Sequence, residues 1–264
     1  MKTTTIGLLS MPLIMSLMST AAADADGPAT AILDDLDIAL GVEVSYEPDY
    51  QGSDDYEVDI LPLLQVTYKD WLYLDSLAGG AVWRLPGGFR LQTGVSFEEG
   101  REESANDALE GLDDIKETAV LDAGLFYDIG DLTLGFALEQ DLLGRGKGLV
   151  TFLGASYTFE FLNDRLRVAP QADISFANKR HLQTEFGIAP EEAVNSQFDA
   201  YRPGAGLKSY GIGVNMDFQL TEHWTLLGEG GIEFFGPEAT DSPLLDEAGA
   251  DYGAEVEVGL AYRF

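Results

Sequence analysis

The chain has 264 residues with no cysteine, and 46 acidic against 15 basic side chains give a formal net charge of −31. Disulfide frameworks, thiolate metal sites and cysteine nucleophiles are therefore excluded. The acidity argues against nucleic acid and anionic surfaces as partners, and fits either a saline habitat or a cation-handling role.

The N-terminus reads MKTTTIGLLSMPLIMSLMSTAAADA. Lys2 forms a positive n-region, Ile6–Met18 a short apolar core, and Ala21-Ala22-Ala23 a small-residue cleavage site. Residues 1–23 are thus expected to be a secretory signal peptide, with cleavage after Ala25 nearly as plausible. No cysteine follows to carry a lipid anchor. Residues 24–37 are polar and mixed, the expected periplasmic lead-in. Residues 38–264 read as one all-β domain, with no later run near the ~18 apolar residues of a membrane-spanning helix.

The expected strands alternate with period two. Ile38–Tyr46 sets Ile38, Leu40, Val42, Val44 and Tyr46 against Ala39, Gly41, Glu43 and Ser45. The acidic, turn-rich segment 47–57 follows. Ile60–Tyr68 and Trp71–Leu85 flank Lys69-Asp70, and Phe89–Phe97 follows Pro86-Gly87-Gly88. A long acidic loop, 98–117, leads to Ala119–Asp128 and Leu132–Leu142. Leu149–Phe161 and Leu166–Ala177 are joined by a short turn, and 178–206 is long and irregular. Tyr210–Leu220 and Trp224–Phe235 flank Thr221-Glu222-His223, and loop 236–250 precedes the last strand.

That last strand, YGAEVEVGLAYRF, sets Tyr252, Ala254, Val256, Val258, Leu260, Tyr262 and Phe264 against Gly253, Glu255, Glu257, Gly259, Ala261 and Arg263. Its length is near the roughly 9–11 residues of a tilted membrane-spanning strand. Its aromatic end, Tyr262 and Phe264, resembles the assembly signal of bacterial outer-membrane barrels, read by the barrel-assembly machinery. Short turns alternate with long loops through the C-terminal half, as in such barrels. The expected fold is an all-β transmembrane antiparallel up-and-down barrel among outer-membrane lipids. Eleven clear strands are an odd number, and bacterial single-chain barrels have even numbers. The reading is twelve, with ten as the alternative. The extra strand comes from a split of 71–85 at Asp75 and Gly79-Gly80, or from Leu182–Ile188.

With the apolar faces turned to lipid, the expected lumen charges are Glu43, Arg84, Arg90, Asp122, Glu139, Asp141, Arg167, Asp173, Asp217, Glu229, Glu233, Glu255 and Glu257. Asp128, Glu160 and Arg263 fall on the same face, and Asp75 is the one clear exception. A lipid-facing charge costs about 2–4 kcal/mol near the midplane, so segregation is expected of a barrel. The acidic excess suggests a cation-preferring pore; a packed polar core is the plainer reading.

Candidate chemistry is sparse. His223 falls in an expected periplasmic turn beside Trp224. His181 lies near Ser175 and Asp173, with nothing to specify a triad. Asp49, Asp54, Asp55, Glu57 and Asp59, like Glu98, Glu99, Glu102 and Glu103, lack the spacing of a calcium loop and read as solvated loop charges. The glycine-rich 141–148 segment reads as a hairpin loop. No catalytic, cofactor or metal residues are expected.

Three stretches resemble the MltA-interacting protein (MipA/OmpV) family: GVEVSYEPDYQGSDDYEVDILPLLQVTY from Gly41, FANKRHLQTEFGIAPEEAVNSQFDAYRPGAGLKSYGIGV over 176–214, and LTEHWTLLGEGGIEFFGPEATDSPLL over 220–245 with the terminal GLAYRF. Asp113–Gly124 adds to the match. The resemblance implies an outer-membrane barrel of a Gram-negative bacterium without catalytic residues. It implies a scaffold that brings a lytic transglycosylase together with a penicillin-binding murein synthase. The family's most recognisable loop falls here, so His181, Gln183, Phe186, Tyr201 and Lys208 are expected to form a functional surface loop. The competing reading makes Leu182, Phe186 and Ile188 the packing residues of a plug.

Overall fold

The structure, a computed structural model, describes residues 35–264. The expected signal peptide, 1–23, and residues 24–34 of the expected lead-in lie outside the described residues, and Leu36 and Asp37 of that lead-in already belong to the first strand. Thirteen strand segments run in order: β1 Leu36–Pro48, β2 Tyr56–Tyr68, β3 Leu72–Asp75, β4 Ala78–Arg84, β5 Phe89–Glu98, β6 Thr118–Ile129, β7 Leu132–Asp141, β8 Leu149–Tyr157, β9 Phe159–Phe161, β10 Leu166–Ala177, β11 Gly206–Gln219, β12 Trp224–Phe235 and β13 Tyr252–Arg263. β8 and β9 are two parts of one strand, since β10 pairs with both. The result is twelve staves. Each pairs antiparallel with its neighbours, and β1 closes on β13 from Ala39 opposite Arg263 to Tyr46 opposite Val256.

The period-two pattern explains the closure. Every second side chain is apolar and points outward, as with Val42, Val44, Ile60, Val256 and Val258. Aromatic side chains form two belts. Tyr46 stacks on Tyr56 at 5.0 Å and Tyr210 on Phe234 at 5.3 Å near the outer rim. Phe89 stacks on Tyr127 at 4.6 Å, and Trp224 meets Tyr262 edge-on at 5.1 Å, near the other rim. Trp224 and Phe234 bracket β12. Ten residues at about 3.3 Å rise, tilted about 40°, span roughly 25 Å, the height of an outer-membrane barrel's apolar band. The chain is a transmembrane β-barrel of the outer-membrane type.

The added strand comes from 71–85, which folds as the short hairpin β3–β4. The alternative, Leu182–Ile188, is not a strand: Lys179–Phe186 is helix α1. Asp75 is no exception to the charge rule either. It pairs with Gln65, which is buried among the inward residues Leu61 and Leu63. The short hairpin leaves Tyr56–Leu64 of β2 without a neighbour on that side. There Ser76 Oγ accepts from the Leu64 amide and donates to the Pro62 carbonyl, both at 3.0 Å. Pro62, with no N–H to leave unpaired, suits this edge.

Turns 69–71, 85–88, 130–131, 162–165 and 220–223 lie at one rim with Phe264. Loops 49–55, 99–117, 142–148, 178–205 and 236–251 rise from the other. They carry α1, α2 (Pro190–Asn195), α3 (Pro237–Thr240) and α4 (Pro243–Ala248).

Candidate functional site: the lumen and its cap

The outer loops fold onto one another as a cap across the barrel mouth. Its core joins Tyr50, Leu109, Leu112, Leu182, Phe186, Ile188, Phe198, Leu244 and Leu245 to the inward strand residues Ala137, Val150, Phe152 and Phe235. Asn178 begins α1 by accepting from the His181 amide at 2.9 Å, which satisfies one free N–H of the first turn. Leu182 and Phe186 then fall one turn apart on a single face, and both are fully buried. The loops are also stitched by polar contacts. Ser242 Oγ donates to the Phe186 carbonyl at 2.6 Å, Tyr201 Oη to the Glu238 carbonyl at 3.0 Å, and Tyr50 Oη to the Ala248 carbonyl at 2.9 Å.

Beneath the apolar layer lies an ion cluster. Lys147 Nζ sits 2.8 Å from Glu185 Oε1 and 3.0 Å from Glu98 Oε1. Arg101 donates to the Glu185 carbonyl at 2.9 Å. His181 Nδ1 lies 2.7 Å from the Lys147 carbonyl; a carbonyl only accepts, so Nδ1 carries the proton. Burial of His181 pushes it down to about 4. Burial alone would raise Glu185, but Lys147, His181 and Arg101 hold it down to about 2. Lys147 is shifted upward: burial opposes its charge, and Glu185 and Glu98 outweigh that.

The expected surface loop is therefore corrected. His181, Phe186 and Lys208 are 4%, 0% and 2% exposed. Gln183 and Tyr201 are half-buried. Lys208 is on β11 and points inward to Glu233 at 3.1 Å. The Phe186–Phe235 ring contact and the Lys208–Glu233 ion pair between β11 and β12 draw two of these side chains inside. Nor does the structure join the residues weighed as a triad. Ser175 Oγ lies 2.6 Å from Ser209 Oγ, and His181 turns to Lys147.

Glu43, Arg84, Arg90, Asp122, Glu139, Asp141, Arg167, Asp173, Asp217, Glu229, Glu233, Glu255 and Glu257 occupy inward positions of their strands. Asp141 is at the rim and organises loop 142–148. It accepts from Thr118 Oγ1 at 2.7 Å and from the amides of Leu143, Gly144 and Gly146. Below the cap, β5 to β11 line a cavity of about 470 Å³. In it Arg90 pairs with Asp128 at 3.5 Å and stacks on Phe126, while Arg167 pairs with Glu160 at 3.4 Å. The opposite wall, β12-β13-β1-β2, is acidic. The sequence reading missed Lys147, Glu98, Arg101 and Glu185 as one cluster. The only available signal was Lys147 as the single lysine of a glycine-rich loop.

The structure is similar to solved barrels at low sequence identity. The translocator domain of autotransporter NalP from Neisseria meningitidis matches at 14% identity and a TM-score of 0.48, covering 89% of this chain and 93% of that one. The NanC porin matches at 11% and 0.44, covering 85% and 100%. A Pseudomonas aeruginosa FadL homologue matches at 11% and 0.39, covering 87% and 89%. No curated protein matches the sequence. The family model described as MltA-interacting protein MipA matches residues 40–264. The chain belongs to the MltA-interacting protein MipA family.

Proposed function

We propose that this barrel is a non-catalytic scaffold in the outer membrane of a Gram-negative bacterium. In this role it holds a lytic transglycosylase near a penicillin-binding murein synthase. The observation that carries the reading is the cap. Four of the outer connections bury apolar side chains against one another, and we assign the partner to the opposite, periplasmic rim. The family name, with its MltA-interacting description, supports the class of partner. That rim offers short turns, and the lead-in 24–37 adjoins it in sequence. Cross-linking in cells, purification of the barrel and identification of bound proteins tests this. Enrichment of a transglycosylase or murein synthase, lost when 24–37 and the turns are replaced, is expected. Recovery of the barrel without either enzyme would overturn it.

The acidic wall favours a second reading, a narrow cation-preferring path opened when the cap moves. Planar-bilayer conductance tests it. Absence of conductance even after the cap is removed would sink it.

A further inference from the structure

A group of three carboxylates lies on the lumen wall at the β1–β13 seam. Glu47, Glu255 and Glu257 bring one carboxylate oxygen each within 4.8 Å of one another. Glu47 and Glu255 are buried. Strand register places Ser45 between Glu257 of β13 and Asp59 of β2. Directly opposed residues share a face with Cβ atoms about 5 Å apart, so Ser45 points at this group.

Ser45 is 1% exposed, and its Oγ has no hydrogen-bond partner among the described residues. Asp59 Oδ2 and Glu229 Oε1 are buried oxygens in the same condition, and Glu229 faces Glu257 from β12. The charged groups that act most strongly on Glu255 are Glu257, Glu229, Glu233 and Glu47, all acidic. Lys208, the base facing Glu233, is held in its own ion pair. Ser45 Oγ, Asp59 Oδ2 and Glu229 Oε1 thus present this wall with buried oxygens still open to a ligand. Buried charge of one sign is tolerated when it is paired or coordinates a metal.

The donor set selects the ion. Every atom is a hard oxygen, and no nitrogen or sulfur is present, which suits Ca²⁺ or Mg²⁺ rather than a softer metal. Ligands about 2.4 Å from one ion lie at most about 4.8 Å apart, and the three carboxylate oxygens stay within that limit. We propose that Glu47, Glu255 and Glu257, with Ser45 Oγ, hold a hard divalent cation of the Ca²⁺ class. The ion bridges the first and last strands just below the cap. The site does not depend on the scaffold reading, and it is separate from the exposed loop carboxylates Asp54 and Asp55.

The test is calorimetric titration of CaCl₂ into the full barrel refolded in zwitterionic detergent, read beside its thermal unfolding. One saturable site is expected, and a chelator should lower the unfolding midpoint. Glu255→Gln/Glu257→Gln should weaken binding at least about tenfold, since affinity follows ligand charge, and should abolish the calcium-dependent shift. Ser45→Ala should weaken binding less. Asp54→Asn/Asp55→Asn should leave both readings unchanged. No calcium binding, or equal binding by Glu255→Gln/Glu257→Gln, would overturn the site. So would binding lost only in Asp54→Asn/Asp55→Asn. Should the Gln variant not refold, the wild-type chelator response and Ser45→Ala decide: both changed supports the site, and either one unchanged overturns it.

Discussion

The Lys147 ammonium lies 2.8 Å from the Glu185 carboxylate, both nearly fully buried, in loops that rise from different strand pairs. Removing one partner leaves the other charged and buried, at a cost of about 3–5 kcal/mol. Lys147→Met is expected to free the cap while the barrel persists. Limited proteolysis should cut within 178–205, and the folded band on unheated gels should remain. A protease-resistant cap in that variant would contradict this account.

Acid should loosen the cap in two stages. His181 is held at about 4, below its ordinary 6.5. The unfolded loop takes up a proton first, so stability from neutral His181 is lost as pH falls from about 6.5 to 4. Glu185 is held at about 2, below its ordinary 4.5, and its contribution is lost between about 4.5 and 2. Hydrogen exchange of α1 followed against pH should show both stages. His181→Gln should remove the first and narrow the second, because His181 is one of the groups that hold Glu185 down.

Phe186 is fully buried and meets Phe235 edge-on at 5.8 Å. Phe186→Ala is expected to cost the cap about 3–5 kcal/mol, the usual price of such a cavity. If the cap is the seal on the lumen, bilayer conductance should rise in this variant and favour cations. Unchanged conductance alongside increased proteolysis of the loops would mean that the barrel is blocked lower down.

Gly41 lies opposite Ala261 on the β1–β13 seam. A Cβ built there would fall 2.2 Å from the Leu260 carbonyl oxygen. Gly41→Ala is therefore expected to part the first and last strands and abolish the compact, heat-modifiable form on gels. Gly130→Ala makes a suitable contrast, because a Cβ in that turn meets no atom within 4 Å. Its positive φ of 61° costs a little, and the compact form should survive.

The barrel was legible because the membrane judges each residue separately. Each outward position of β13 must be apolar, and each inward charge needs the lumen, so Tyr252–Phe264 announced its pairing without reference to any partner. The hairpin β3–β4 was half legible: Gly79-Gly80 marked a break, yet only the pairing of Asp75 with Gln65 shows which way Asp75 points. The cap was hidden for the opposite reason. Its contacts join residues far apart, Lys147 with Glu185 and Tyr50 with Ala248, and no local period records them. Leu182 and Phe186 carried helical spacing, but α1 spans only 8 residues, and Leu182–Ile188 could equally be read as alternating. The seam cluster escaped notice because Glu47 was assigned to a loop, whereas β1 continues to Pro48.

The Tyr50–Ala248 bond and the Ala250 amide, 2.8 Å from the Gly52 carbonyl, join the loop after the first strand to the loop before the last. Those loops become neighbours only when the sheet has curled into a cylinder. The cap is thus a record of finished assembly: a chain still threading into the bilayer has an unroofed lumen, and the roof arrives with the final strand.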